Sequence, residues 1–260
     1  MTRAVKFVLP LALGVAVLAL WEFCVRHYQV PVFLLPAPSA IWTAFAAHFA
    51  SLLQSLGTTL AVTWIAYLIA LAGGIGLAMV FSQSRAAELA LYPYSVTLQV
   101  TPVLAIAPLI IIWTGYEHVE RAAVIIALIV AFFPILSNAT LGLRTVDPAL
   151  SDLFRLYGAS RLQKLWRLQL PGALPHILAG AKISIGLALI GAVVAEFVAG
   201  SGSATGLAWR IIESSNRLEI AKMFAALALL ALAGIVNFYV LAVVEWLVLH
   251  RWHESALKRE

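Results

Sequence analysis

The chain has 260 residues, of which 63% are hydrophobic and 11% charged, with a net charge of +5 and a mean hydropathy of +0.97. Soluble domains carry about 25% charged residues, so this composition excludes an ordinary soluble domain and predicts a single domain built for lipid. The basic residues lie beside apolar runs, where membrane topology explains them without a nucleic-acid partner. The single cysteine, Cys24, excludes an intrachain disulfide and a cysteine metal site.

Six apolar runs are long enough to cross a bilayer, which takes roughly 20 residues. The first, near 5–25, is interpreted as a span and not a signal peptide, because Trp21 to Phe23 stand where a cleavage site would lie. The proline-rich segment after it cannot be a regular helix, and 41–56 is expected to be a short helix at the outer interface. The other spans are predicted near 58–81, 91–113, 122–141, 177–199 and 223–249. The predicted fold class is therefore all-α, a polytopic membrane protein with six transmembrane helices.

Prolines and polar residues inside the spans indicate which helices face the protein interior. Pro93, Pro102 and Pro108 predict a kinked third span, because proline frees carbonyls that protein or cavity water must satisfy. Polar groups in spans are costly and usually face an interior. The candidates for a translocation path are Gln99, Thr101, Asn138, Ser184 and Glu196. Glu196 could instead be an interfacial carboxylate with local hydrogen bonds, or could pair with Arg210 or Arg217.

A polar island at 147–175 interrupts the apolar pattern and carries Arg155, Arg161, Lys164 and Arg167. With the N-terminus inside, this island, Arg144, both terminal segments and the turn at 82–88 carry 11 Lys and Arg residues, against 5 in the outer segments. This excess predicts that these segments and both termini are cytoplasmic. A cap at Ser151 or Asp152, an interruption at Gly158 and stops at Pro171 and Pro175 predict two short helices. On these residues alone, a helix pair that only anchors to anionic lipid is an equally good interpretation.

The spacing in the island matches a longer pattern. Importer-type ABC transporter permeases have a cytoplasmic loop that reads E-A-A, three residues, G, nine residues, I, one residue, L-P. Here Asp152 stands for the glutamate, Gly158 for the glycine, Leu168 for the isoleucine, and Leu170-Pro171 for L-P, whereas Leu153 and Phe154 replace the alanines. The segments LLPAPSAIW, IIIWTG and AVVAEFVAGSGSATGLAW also resemble the nitrate, sulfonate, taurine and pyrimidine-precursor branch, so the likeness covers nearly the whole chain after Pro31.

The resemblance implies a type I importer permease in a bacterial inner membrane. It implies an N-terminal helix and outer interfacial segment at 1–57, a permease core at 58–250 with a coupling loop at 143–176, and a cytoplasmic tail at 251–260. The implied partners are a second, identical permease copy, two ATP-binding subunits that hold ATP and Mg²⁺, and a periplasmic or lipid-anchored substrate-binding protein. The chain itself would bind no cofactor or metal. The expected docking residues are Asp152, Arg155, Gly158, Ala159, Ser160, Arg161, Leu170 and Pro171, with both arginines added because they could pair with acidic groups of the partner.

Other function classes find less support in the sequence. The chain has no G-x-x-x-x-G-K-[ST] phosphate loop, so ATP hydrolysis would need a separate subunit. The sequence contains no G-x-S-x-G and no H-E-x-x-H motif, so it gives no support to an intramembrane enzyme. The remaining alternative is a secondary transporter or channel with a lipid-anchored loop, which would often show inverted repeats or charged residues at mid-membrane. The substrate is left open, because in this family much of the selectivity lies on the binding protein.

Overall fold

The computed structural model describes residues 3–199 and 206–250, with side chains at 8–115, 117–199 and 206–250. All regular structure in these residues is helical, as the composition predicts. The α-helices are α1 Arg3–His27, α2 Pro38–Ala47, α3 Phe49–Gln83, α4 Arg85–Val100, α5 Val103–Thr114, α6 Val119–Arg144, α7 Pro148–Leu156, α8 Arg161–Lys164, α9 Leu170–Ala199, α10 Leu207–Asn216 and α11 Ile220–Leu249. A 3-10 turn at Tyr116–His118 precedes α6, and a π-helical segment, Leu165–Gln169, joins α8 to α9. The expected tail at 251–260 lies outside the described residues.

Five stretches of the described chain are long and apolar enough to cross a membrane, and a bent pair of helices makes up to six. The five are Val8–His27, Phe49–Gln83, Val119–Arg144, Arg161–Ala199 and Ile220–Leu249. The bent pair is α4 with α5, which meet at 100°. Pro102 opens α5, and Thr101 before it has an extended ψ of 126°, as expected for a residue that precedes proline. The prolines of the third span thus break it into two helices, a sharper distortion than the predicted kink.

The second span begins earlier than the sequence suggests. A short helix does lie after the proline-rich segment, but it is α2, Pro38–Ala47, whereas residues 49–56 belong to α3. The prediction of a separate helix over 41–56 was therefore wrong at its second half. No proline lies between Phe49 and Gln83, and a single glycine such as Gly57 costs a helix only about 1 kcal/mol.

The prediction that Pro171 and Pro175 stop a helix before the fifth span was also wrong. One helical stretch runs from Arg161 through the π-helical segment and α9 to Ala199. A proline ring inside a helix clashes with the carbonyl four residues earlier, which for Pro171 belongs to Arg167. Arg167 lies inside the wider π turn, where Leu170 donates its N–H to the Leu165 carbonyl, five residues back. This wider turn accommodates Pro171 without ending the helix.

The chain forms two compact units, of which one comprises Met1–Thr58 with Thr205–Ala231. Its core is a cluster of α2, α3, α10 and α11 side chains around Leu52, Leu207 and Ala226. In this unit Arg210 donates to Ser55 Oγ at 3.0 Å and pairs with Glu213 at 2.8 Å. The short helix α10 confirms the helix considered between the last two spans.

The second unit, Thr59–Ala204 with Leu232–Glu260, is organised around the contact of α6 with α9. Small residues bring the two backbones together, as is usual between helices in a membrane. A Cβ atom at Gly191 would lie 2.6 Å from Ala127 Cα, and one at Gly180 would lie 2.9 Å from the Pro134 carbonyl oxygen. The pair of helices therefore forms a rigid scaffold, and the polar island begins and ends on it.

Candidate functional site

The polar island starts with a capped helix. The Asp147 carboxylate accepts from the Ala149 N–H at 2.8 Å, and Pro148 occupies the first helical position, where its missing N–H costs nothing. The cap is thus Asp147, and the predicted caps Ser151 and Asp152 lie inside α7. The first predicted short helix is confirmed as α7, Pro148–Leu156.

Gly158 ends α7 in a left-handed turn. Its φ is +67°, its N–H donates to the Arg155 carbonyl at 3.1 Å, and the Ala159 N–H donates to the Phe154 carbonyl at 2.9 Å. This pair of bonds is the Schellman motif, which calls for glycine because a side chain strains the left-handed backbone. A Cβ atom at Gly158 would meet no atom within 4 Å, so the space above the turn is open.

Ser160 begins the second helical stretch through a capping box. Its hydroxyl accepts from the Gln163 N–H at 3.2 Å, and the Gln163 side chain accepts from the Ser160 N–H at 2.8 Å. These reciprocal bonds satisfy two donors at the helix start. The turn from Leu156 to Arg161 is therefore held by backbone bonds and a local cap, which fixes the two helical stretches relative to each other.

Apolar side chains cover the exposed surface of this turn. The exposed fractions are 83% for Leu156, 83% for Tyr157, 64% for Leu162 and 63% for Trp166. The predicted docking residues Asp152, Arg155, Gly158, Ser160 and Arg161 are exposed beside them. We call the exposed residues between Leu150 and Trp166 the loop surface.

The structure separates the remaining docking candidates from the loop surface. Ala159 is half-buried in the turn, whereas Leu170 and Pro171 are half-buried at the start of α9. Leu170 packs against a core that includes Phe81, Leu143 and Leu165. Packing in this core therefore explains why an apolar residue occupies position 170, at the end of the permease loop pattern.

The residues considered for a translocation path mostly bond to backbone. Thr101 donates to the Thr97 carbonyl at 2.7 Å, Asn138 to the Pro134 carbonyl at 2.8 Å, and Ser184 to the Ala131 carbonyl at 2.8 Å. Gln99 is exposed near the end of α4.

Glu196, the fifth of these residues, is buried and accepts from Thr59 Oγ1 at 2.7 Å. Arg210 and Arg217, its considered partners, both pair with Glu213. The hydrogen bond from Arg210 holds the pKa of Glu213 below its ordinary value, and the charge of Arg217 adds to this effect.

Two ion-pair groups that join different helices were missed by the sequence analysis. Glu88 pairs with Arg85 at 2.8 Å and with Arg144. Lys182 on α9 pairs with Glu245 on α11 at 2.5 Å. The sequence did contain a sign of these pairs, because acidic residues in or beside apolar helices are usually paired with a cation.

Glu88 lies in an open cleft of about 790 Å³ at the end of the scaffold where the polar island begins. We call it the basic cleft, because Arg85, Arg144, Arg161 and Lys164 line it with Glu88. None of the five path candidates lines this cleft. No group of three or more His, Cys, Asp or Glu residues in the described chain could hold a metal ion.

Comparison with known proteins identifies the fold and the family. Residues 70–250 match the family described as binding-protein-dependent transport system inner membrane component. The chain is 31% identical over 248 residues to a probable ABC transporter permease protein of Haemophilus influenzae, with 95% of this chain and 98% of that protein covered. It is also 31% identical over 250 residues to the formylaminopyrimidine transport permease protein ThiX of Halalkalibacterium halodurans, with 96% and 98% covered.

A solved structure supports the same architecture. The crystal structure of an amino acid ABC transporter with histidines superposes with a TM-score of 0.61, covering 79% of this chain and 95% of that chain at 18% identity. At this identity the likeness shows the fold alone, which is all-α with five to six candidate spans in the described residues. ThiX belongs to the branch that the sequence segments predicted, so that prediction is confirmed. The matched region and the coverage of both relatives show that this chain belongs to the inner-membrane permease family of binding-protein-dependent ABC transporters.

Proposed function

We propose that this permease couples ATP hydrolysis on a separate subunit to alternating access, and so imports a small solute. The loop surface carries this proposal. Its four most exposed apolar side chains lie on or beside a turn that backbone hydrogen bonds hold. Burying a large apolar side chain stabilises a complex by about 1.5–3 kcal/mol, so a partner groove that covers Leu156 and Tyr157 would gain substantially.

The proposed partner at the loop surface is an ATP-binding subunit. Asp152, Arg155, Gly158, Ser160 and Arg161 would form the contact, with Ala159, Leu170 and Pro171 supporting it from the turn and the start of α9. Arg155 and Arg161 would pair with acidic groups at the rim. ATP and Mg²⁺ would be held by that subunit, and this chain would supply no cofactor site. A rigid turn suits this role, because a docked loop that deformed would not transmit movement to the spans.

The proposed assembly follows from the family. Two copies of this chain would associate with two ATP-binding subunits and with a periplasmic or lipid-anchored substrate-binding protein. Both termini and the 143–176 coupling loop would face the cytoplasm, which agrees with their Lys and Arg content. The division would be 1–57 for the N-terminal helix and interfacial segment, 58–250 for the permease core, and 251–260 for the tail.

The proposed substrate is a small solute of the nitrate, sulfonate, taurine or pyrimidine-precursor type. ThiX supports the pyrimidine type, since its name assigns it formylaminopyrimidine transport. Gln99, Thr101, Asn138, Ser184 and Glu196 are the proposed path residues. Thr101, Asn138 and Ser184 have uncharged side chains that bond to backbone carbonyls. They would therefore offer the solute hydroxyl and amide groups and no net charge.

Co-purification tests the docking role. The full chain is expressed with the ATPase subunit encoded beside it, and the eluted complex is assayed for ATP hydrolysis. We expect a stable complex that hydrolyses ATP. We expect Gly158→Arg to lose at least 90% of the co-eluting ATPase subunit, because a long side chain would occupy the open space above the turn. Gly158→Asn is the matched control, since asparagine tolerates the left-handed backbone and should keep most of the binding.

The two variants separate a docking role from local folding. Loss with arginine and retention with asparagine supports contact with the partner at Gly158. Equal loss in both variants would assign Gly158 to the turn alone. Full co-elution of the ATPase subunit with Gly158→Arg would contradict docking at this surface.

A further inference from the structure

The basic cleft carries more positive charge than the structure neutralises. Four cationic side chains, Arg85, Arg144, Arg161 and Lys164, face one carboxylate, Glu88, which leaves a net charge of +3. Arg85 and Arg144 both pair with Glu88, and Lys164 donates to the Ser151 hydroxyl at 2.5 Å. Within the described residues Arg161 has neither an ion-pair nor a side-chain hydrogen-bond partner. The cleft thus leaves cationic donors available to an anion from outside the chain.

The cleft lies at the ends of two helices that are long and apolar enough to cross a membrane. Phe81 and Leu143, buried near the ends of the spanning helices α3 and α6, form its apolar floor. Its cations come from the first turn of α4, the last residue of α6 and the helix that follows Ser160. A cleft with an apolar floor and a cationic rim at the end of spanning helices has the chemistry that binds phospholipid head groups.

The size and hydrogen-bonding groups fit a phosphate. A volume of about 790 Å³ lies within the range of roughly 300–1,000 Å³ for small-molecule sites. Arginine presents a planar fork of donors that matches phosphate oxygens, and lysine adds a point charge.

We propose that the basic cleft binds a phosphate-bearing anion, with the head group of an anionic phospholipid as its source. Phosphate oxygens would accept from Arg161, Lys164 and the outward-facing donors of Arg144, while the lipid chains follow the spanning helices. The site needs no docked ATP-binding subunit, although Arg161 also belongs to the proposed docking contact. A head group held there would also fix the base of the polar island against the ends of α3 and α6.

The test is lipid binding by the full chain, purified in detergent and stripped of lipid. Phosphatidylglycerol and phosphatidylcholine are titrated separately and counted as adducts by native mass spectrometry. We expect phosphatidylglycerol to bind at least tenfold more tightly. Arg161→Gln with Lys164→Gln should weaken it about 25-fold, since each cation near a membrane surface contributes about fivefold. The matched control, Arg121→Gln with Arg167→Gln, removes two exposed cations outside the cleft and should change affinity less than about twofold.

A second arm separates the lipid from a soluble phosphate compound. Pyrophosphate is titrated by calorimetry against the same variants. If the wild-type chain binds pyrophosphate, the cleft variant does not, and neither lipid is preferred, the cleft binds phosphate from a soluble compound. The proposal would be overturned if both double variants bound phosphatidylglycerol equally well and if pyrophosphate binding did not depend on the cleft residues.

Folding and docking are controlled separately. The single variant Arg161→Gln leaves no described group unpaired, so it should unfold at the wild-type temperature and still lose about fivefold in lipid affinity. Because no ATPase subunit is present in either arm, failure of lipid binding leaves the docking proposal untouched, and failure of docking leaves this one untouched.

Discussion

Gly158 and Ser160 show how single residues set the geometry of the loop surface. Gly158 supplies the left-handed turn that ends α7, and Ser160 caps the next helical stretch. Both residues were expected to contact a partner, and both have a sufficient local reason for their identity. Their structural role is therefore the precondition for exposing Leu156 and Tyr157, and any docking role is added to it.

The Lys182–Glu245 pair shows the cost of charge in a membrane helix. The side chains are 22% and 27% exposed and join α9 to α11 within one unit. Removing one partner leaves the other charge in a poorly solvated position, which is strongly destabilising, whereas replacing both by apolar residues is often neutral.

We predict that Lys182→Met lowers the stability of the full chain by about 3 kcal/mol, because it leaves Glu245 uncompensated. Glu245→Met should cost a similar amount, and the double variant should recover most of the loss. The measurement is thermal unfolding in detergent, scored as a double-mutant cycle. A double variant as unstable as the sum of the singles would show that the two charges act independently.

At the scale of helices, the spans and their breaks differ in how far sequence predicts them. Hydropathy alone locates each span, because a long apolar run has no other stable environment. The break between α4 and α5 follows from Pro102, a local signal. The π-helical segment before Pro171 does not follow from a local signal, because a proline in this position often ends a helix. Only the structure shows that the helix continues through Pro171 into α9.

Contacts that join distant residues could not be predicted in the same way. Glu88 pairs with Arg144, 56 residues away, and Lys182 with Glu245, 63 residues away. A sequence pattern reads neighbours three or four positions apart on one helix, and these pairs exist only after helices pack. The basic cleft was missed for the same reason, although the basic polar island that lines it was recognised.

The α6–α9 contact gives a prediction at this scale. Gly191→Ala should destabilise the chain by about 1–3 kcal/mol, because the added methyl group would lie 2.6 Å from Ala127 Cα and the two helices must separate. Gly186→Ala in the same helix is the matched control. No atom lies within 4 Å of its Cβ position, so the greater helix propensity of alanine should leave stability unchanged or raise it by up to about 1 kcal/mol.

Thermal unfolding of both variants in the same detergent measures the difference. If Gly191→Ala unfolds no earlier than Gly186→Ala, close packing of α6 on α9 is not what holds this helix pair. A large loss in both would mean that glycine serves the backbone of α9 and not its neighbour.

For the whole molecule, family membership shows that the chain is an inner-membrane protein. It does not show which ends of the spans face the cytoplasm. Helix α6 is unbroken and is long and apolar enough to cross a membrane, so we expect the residues before it and after it on opposite sides. Glu117 precedes α6 and Tyr157 follows it on the loop surface, and both are exposed. The predominance of Lys and Arg after α6 predicts that Tyr157 is on the cytoplasmic side.

Cysteine labelling measures this orientation. In a Cys24→Ala background, single Glu117→Cys and Tyr157→Cys variants are treated with a membrane-impermeant maleimide in intact cells. We expect Glu117→Cys to be labelled at once and Tyr157→Cys only after the inner membrane is opened, because α6 carries the chain from one face to the other. The reverse pattern would place the loop surface outside, where no ATP-binding subunit could reach it, and the coupling proposal would fail even if the loop surface bound another protein.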